Sequence, residues 1–480
     1  MIVRLALACA LLTASAAVAN PWPIPPEGSC APSGGLHGWP IGEDAPPIAF
    51  ETGDVIDAER LSLVRAYLPP ELWEHRERFF FGGMQLEVGP CFRNYDGPEF
   101  FTAATERFRG RAKLLANGGL EGAVAGLPFP PDAIDPNDSD AGQKWAWNVQ
   151  ARYRAGGMRG KFRISDLVGR IGRAEPFEGA IFLNQLARRA DRPDDGYRVP
   201  ETEPRVWVAG GRFFVPFNAR EFAWLQYREP GSDVDLDYGD ELHIYLPTLR
   251  KVRRAPAFGV EGLFMPTFSI GVSIGGSGPT GDMGPGGSID VASMPDTIET
   301  KRSGFEGIEL RPLLRRYRVL GVQDVLAPIN SVAPAYPETD DRSFGPYGLS
   351  WASDRWELRR ALVLEGRDSE ATDPGDPAIR RLWIDLQTLV ALYYVSYDRR
   401  GEQIDVGYFV GRWSEDRPDY PRWPDYPERP VRVLDSAGAA FANLKLRGSW
   451  RRESWSMVSV PESDAEVRRS LSLRSLQKGR

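Results

Sequence analysis

Cysteine and histidine are scarce: each occurs three times in 480 residues. The histidines, His37, His75 and His243, lie far apart and show no paired spacing. A zinc site draws on at least three His, Cys or carboxylate ligands, so these residues read as structural, and neither a metal nor another cofactor is expected. An excess of basic charge is also missing. Lys plus Arg number 59 against 66 Asp plus Glu, for a net charge of −7. With no basic aromatic patch, the balance argues against a nucleic-acid partner. Long apolar runs are absent too: every later stretch is broken by Arg, Asp or Gly, whereas a bilayer-spanning helix needs about 20 apolar residues.

The beginning of the chain carries a different signal. Arg4 supplies a positive start, Leu5–Leu12 an apolar centre, and Ala17-Val-Ala19 a small-residue exit. These are the three parts of a cleavable secretory leader, with cleavage expected before Asn20. Cys9 has too little apolar sequence before it to be a lipid-anchoring cysteine. Loss of Arg4 takes the net charge from −7 to −8. The expected location is the periplasm, in soluble form. Cys30 and Cys91 remain after cleavage, and in an oxidising compartment a disulfide between them is the default. A bridge closing a loop of that length is worth about 4 kcal/mol in the chain-entropy model.

Residues 20–50 are rich in Pro and Gly and read as an extended arm. Residues 51–460 form one unit with no dividing linker, and 461–480 read as a basic tail or short helix. Residues 57–80 fit two helical pieces, with Asp57 capping the first and Pro69-Pro70 separating them. Another short helix fits 99–108. From Trp145 to Arg154 the apolar residues alternate as Trp145, Trp147, Val149, Ala151 and Tyr153, which is the period of a strand. Further strands are expected at 161–164, 205–208, 212–217, 241–246, 251–254, 313–320, 355–364, 381–384, 390–397 and 403–410. Strand, tight turn and strand recur at 243–252 and 382–392, and Gly401 suits a turn that needs positive φ. The fold class expected is mainly β, within α+β. It would be a large curved antiparallel sheet or half-open β-barrel, with helices covering its concave face.

Leu120–Pro130 followed by Trp145–Arg154, the segment His243–Ala255 and the segment Arg381–Tyr397 together resemble a family of exported Gram-negative proteins, domain-of-unknown-function family 1329. The resemblance covers about residues 50–460. It implies a fold similar to the periplasmic lipoprotein carriers and their outer-membrane receptor, in which a half-open barrel under a helical lid accepts acyl chains. It also implies company with an inner-membrane exporter and an outer-membrane protein. The chain departs from a lipoprotein carrier in being more than twice as long and in its Gly-rich insert at 271–287. The family offers no catalytic residues to carry over.

The chemistry-bearing patterns are weak. Gly271-Val-Ser-Ile-Gly275 matches a nucleophile elbow, but the Gly- and Pro-rich stretch after it cannot form the required helix, and no His follows His243. The same stretch lacks the Gly-Lys-Ser/Thr of a phosphate loop. Acidic runs at 132–140, 191–195, 233–240 and 368–376 contain Pro and Gly and read as solvated turns. The aromatic residues Trp145, Trp147, Tyr153, Phe214, Tyr245, Trp383, Tyr393 and Tyr397 all fall in expected strands. Each can be ordinary core; together they can form an apolar ligand-binding face. The leading expectation is a non-enzymatic carrier or binding protein for a lipid or other hydrophobic molecule. A carboxylate-dependent glycan hydrolase and a non-catalytic envelope adaptor are the alternatives. The shape of the interior separates them.

Overall fold

The computed structural model describes residues 20–28, 30, 48–167, 176–194, 196, 199, 204–217, 219–247, 249–255, 263, 310–333, 336, 342–368, 377–424, 427–445, 450–460 and 462–478. The proposed leader, the 271–275 pattern, the Gly-rich insert and His37 lie outside the described residues.

Strands with one polar and one apolar face must bury the apolar one, and here both faces of one sheet are buried. The fifteen-stranded sheet is open and mixed. Two short strands, β1 (Val55–Ile56) and β2 (Leu86–Val88), sit at one side, and a separate hairpin is formed by β3 (Lys113–Leu114) and β4 (Leu120–Glu121). The body contains β5 (Gly157–Leu167), β6 (Phe177–Gln185), β7 (Trp207–Val215), β8 (Ala223–Arg228), β9 (Glu241–Leu246) and β10 (Lys251–Ala255). The chain continues with β11 (Arg316–Ala327), β12 (Arg355–Arg367), β13 (Ile379–Asp385), β14 (Ala391–Tyr397), β15 (Gln403–Trp413), β16 (Leu434–Asn443) and β17 (Trp450–Val458). Both runs are antiparallel meanders, joined where β17 pairs with β5 from Trp450↔Leu167 to Val458↔Arg159. The one parallel contact in the sheet is β2 with β12. Gly401 turns between β14 and β15 at φ 80°.

The expected strands at 205–208 and 212–217 merge into β7, several others are longer than expected, and β6, β8, β16 and β17 had not been expected. The alanine and glycine of β16 have weak strand preference, and β8 is buried at every position, so it shows no alternation. Both owe their conformation to neighbours on each side.

Residues 57–80 fold as a 3₁₀ helix over Leu61–Tyr67, then α1 (Pro70–Glu74) and α2 (Arg76–Phe79). Asp57 accepts from the backbone N–H groups of Glu59 and Arg60 at 3.1 and 3.0 Å, holding the turn that leads in, and Pro70 opens α1. These pieces put Val64, Leu72 and Phe79 against Val363, Trp383, Tyr393, Val406 and Tyr408 on one face of the sheet. The helix α3 (Glu99–Arg107) matches its expected span closely.

The segment from Trp145 corrects the strand reading. Residues Ala141–Gln150 are helix α4. Ala141, Trp145 and Val149 are spaced as one helical stripe and pack with Leu362, Leu382 and Ile384 on the second sheet face. Trp147 points elsewhere, into a cluster with Leu120 and Leu313, and its indole donates to the Gly118 carbonyl at 2.9 Å. A helix buried nearly all round has apolar residues on every side, so its sequence also satisfies alternation. Trp22 of the N-terminal arm completes this cover, edge-on to Trp145 at 5.4 Å.

The opposite half of the sheet is likewise filled. Phe162, Phe177, Phe213, Trp224 and Trp455 cluster on one face. On the other, Val208, Leu225 and Tyr227 meet Val467 and Leu476. The latter two come from α5 (Asp464–Ser470) and α6 (Arg474–Lys478), so the C-terminal segment is a pair of short helices docked on the sheet. A full capping box at Ser463 and Glu466 starts α5. Among the described residues no helix is long and apolar enough to cross a membrane.

Helix and sheet approach closely at Gly142, where an added Cβ would lie 2.4 Å from the Tyr317 carbonyl oxygen and the Arg318 Cα. Gly142→Ala is therefore expected to destabilise the fold by about 1–3 kcal/mol through overpacking, measured by urea unfolding. A neutral result would mean that α4 moves freely on β11.

Candidate functional site

A cavity in the described structure has a volume of about 130 Å³. Its walls come from segments far apart in sequence: α3, the end of α4, the β13–β14 turn, β15, the approach to β16 and the end of β17. Leu127, Met158, Leu389, Ala391, Phe409, Val433 and Met457 provide apolar surface, and Arg152, Tyr153, Arg154, Gln387, Arg432 and Asp435 also line it.

Chain direction after α4 places three of these residues together. The helix ends at Gln150, and the guanidinium groups of Arg152 and Arg154 turn back to donate to the carbonyls of Val149 and Gln150 in its last turn. Tyr153 between them is held by aromatic edges, with its ring 5.7 Å from Phe100 and 5.5 Å from Phe101 of α3. Its hydroxyl oxygen is buried and has no hydrogen-bond partner among the described residues. Burial pushes this phenol well above its ordinary pKa, so it remains a neutral donor.

The opposite wall is pinned by hydrogen bonds. Asp385 accepts from the Thr388 backbone N–H and hydroxyl, both at 2.8 Å, and pairs with the buried Arg359 at 2.9 Å. Gln387 accepts from the Tyr95 N–H at 2.8 Å and donates to Asn94 and Asp96. The Tyr95 hydroxyl donates to the Glu357 carboxylate at 2.7 and 2.8 Å, and burial raises the pKa of that carboxyl. The β13–β14 turn is thus fixed relative to the loop before α3. Asp435 accepts from Tyr420 at 2.6 Å, from the Ser459 N–H and hydroxyl at 2.9 and 2.7 Å, and from Arg417 at 2.7 Å. Complete burial nevertheless pushes its carboxyl up to about 6.

Of the eight aromatic residues singled out in the sequence, only Tyr153 lines this cavity. Trp145, Trp147 and Tyr153 are not in strands. Trp383 and Tyr393 are fully buried under α1 and α2, with Tyr397 packed beside them. Their polar atoms find partners inside that packing: Trp383 donates to Gln323, Tyr393 to the Leu326 carbonyl and Tyr397 to Glu71. Tyr245 packs on the other half of the sheet, and Phe214 is exposed. The aromatic face expected from alternation is therefore divided between both faces and among separate clusters. Phe409, Met457 and Asp435 carried no local signal, since only the tertiary fold brings them together.

The acidic runs differ from solvated turns only in part, with Asp135, Asp194, Asp235 and Asp237 exposed as expected. Asp191, Asp233 and Asp240 are buried and pair with Arg189, Arg188 and Arg228. Asp132 and Asp138 remain near the surface, paired with Arg109 and Lys144. His243 contacts Glu241 at 2.7 Å. Among the described residues no group of three His, Cys, Asp or Glu side chains is placed to hold a metal. Cys30 and Cys91 are disulfide-bonded, and the Gly28 N–H donates to the Cys91 carbonyl at 2.8 Å beside the bridge.

The family model described as "Protein of unknown function (DUF1329)" matches residues 55–265 and 311–420, more than half of the chain. No curated protein matches. Among solved structures, a DUF1329 family protein from Desulfovibrio piger is similar at 13% identity, covering 71% of this chain and 99% of that one, with a TM-score of 0.38. A LolA superfamily protein from Nitrosomonas europaea is similar at 9% identity, covering 68% and 96% respectively, with a TM-score of 0.30.

The raised Asp435 pKa gives a pH prediction. The folded value of about 6 lies above the ordinary 3.8, so the group's stability contribution is full below pH 4 and is lost as pH rises through 6. The loss is about 3 kcal/mol. Urea unfolding of Asp435→Asn, compared with wild type at pH 4 and pH 7, should show the variant gaining by that order across the interval. A constant difference would show that Asp435 stays ionised.

Proposed function

The chain belongs to the DUF1329 family, and from that premise we propose that it is a non-catalytic binding protein of the cell envelope that takes the apolar part of a hydrophobic or amphipathic molecule into the Tyr153 cavity. The observation that carries this reading is the cavity itself, with apolar walls and a buried hydroxyl that lacks a partner among the described residues. An apolar cavity of about 150 Å³ accommodates benzene, so the site suits one ring or the end of an acyl chain, with the remainder of a larger ligand outside. Arg152 and Arg154 place positive charge on the cavity wall and favour an anionic group on that ligand, whereas Arg432 is paired with Glu415 at 2.9 Å. Tyr153 is the one residue of the predicted aromatic set assigned to the site; the other seven serve the scaffold or the surface.

In this proposal the protein works in the periplasm as a carrier serving an envelope export system, with an inner-membrane exporter and an outer-membrane protein as its partners. The leader read at residues 1–19 and the Cys30–Cys91 bridge support an oxidising location. A second reading, an envelope adaptor, draws on the filling of both sheet faces.

Native mass spectrometry of protein purified from the periplasm, together with displacement of a fluorescent medium-chain fatty acid, tests the reading. The expected result is a co-purified apolar ligand and saturable uptake. Ala391→Phe, which fills the cavity, should weaken uptake roughly tenfold or more, the scale of burying a small apolar group. Absence of uptake by wild type, or equal uptake by the variant, would reject the cavity and favour the adaptor.

A further inference from the structure

We infer that the end of the sheet carrying the β7–β8 and β9–β10 turns is a docking edge for an anionic phospholipid surface. Ala223 at the start of β8 pairs with Tyr245 near the end of β9, so the two turns lie side by side at the same end. Phe217, in the first turn, is 89% exposed, more than any other large apolar residue described. Leu249, in the second turn, is 49% exposed, and Phe214 beside the first is 42% exposed.

Backbone hydrogen bonds hold this geometry. The Ala219 N–H donates to Pro216 at 3.0 Å, Arg220 to Phe217 at 3.3 Å, and Glu221 back to Phe213 at 3.0 Å. Leu249 and Arg250 donate in the same way to Leu246 and Pro247. Phe217 and Leu249 therefore project from closed turns.

The charge of this edge opposes that of the whole chain. Arg220, Arg250 and Lys251 are exposed around the apolar tips, followed by Arg253 and Arg254 on β10. The acidic residue of these turns, Glu221, is paired with Arg212 at 2.7 Å. The complete chain is net −7, so this positive end is local. Exposed apolar tips ringed by cations match the boundary of an acidic bilayer: the rings enter the interface while the cations meet phosphate groups. The inference deepens the carrier reading by naming the surface at which cargo is exchanged, but it rests on a different part of the molecule.

Vesicle co-sedimentation of the full chain tests it, using phosphatidylcholine vesicles with and without phosphatidylglycerol. Binding is expected only to the acidic vesicles and should weaken with added salt. The double variant Phe217→Ser/Leu249→Ser should bind at least tenfold more weakly. Arg250→Gln and Lys251→Gln should each weaken binding about fivefold. Because these residues are exposed, unchanged thermal unfolding confirms that the variants are folded. Ala391→Phe should bind vesicles like wild type, which separates failure of the edge from failure of the cavity. Absence of wild-type binding, or undiminished binding by the double variant, would overturn the inference. So would a Phe217-dependent dimer that does not bind vesicles, which would identify a second copy of the chain as the occupant.

Discussion

The pairing of β17 with β5 is the constraint on which the sheet depends. It joins a meander made early in the chain to one made late, over nine paired positions. Every other neighbouring pair in the two meanders is consecutive in sequence. Without this seam, each meander would present an additional open edge, and edges invite intermolecular pairing. Closing the long loop is not prohibitive, since each doubling of loop length adds only about 0.6 kcal/mol. The cost falls chiefly on folding speed, because non-local pairing has to wait for the rest of the chain. The seam also sets Met158 of β5 beside the end of β17, where Met457 and Ser459 lie, so the same contact that completes the sheet contributes to one wall of the cavity.

Covering so wide a sheet requires pieces from all parts of the chain. The helices of residues 61–79 cover one face of the later meander, while α4 and Trp22 cover its other face. The C-terminal helices cover one face of the earlier meander. Space remains where α4 gives way to the Arg152–Arg154 segment and the cover passes to α3. The cavity is thus a consequence of how the helical cover ends.

Buried ions act on register in this arrangement. Arg359 of β12 pairs with Asp385 of β13, and its neighbour Arg360 pairs with Asp324 of β11. Glu365 of β12, fully buried, meets Arg318 of β11, Arg381 of β13 and Arg367 on its own strand. The buried Arg359–Asp385 and Arg360–Asp324 pairs contribute little net stability compared with well-packed hydrophobes, but losing one partner costs about 3–5 kcal/mol. A slip of one residue would send each β12 charge to the wrong face. These pairs therefore penalise misregistered pairing of the central strands.

Much of the chemistry of this protein was legible along the chain. The mainly β class, the two helical pieces around Pro69-Pro70, the β9–β10 and β13–β14 hairpins and the Cys30–Cys91 bridge follow from local patterns: alternation, turn chemistry and the pairing of two surviving thiols. Strands β8 and β16 were not legible, because complete burial erases alternation and alanine is neutral toward it. Residues 145–154 misled because a helix buried on all sides presents apolar residues at both periods. The site was harder still. Tyr153 stood out as an aromatic residue, but Phe409, Met457 and Asp435 are ordinary where they occur in the chain. Local sequence determined which segments could become strands, turns and helices, since those choices depend on backbone preference and near neighbours. Only the tertiary structure decided which face each aromatic residue occupies and where a cavity remains. Those outcomes depend on the β17–β5 seam and on where α4 stops, contacts between residues that no local pattern connects.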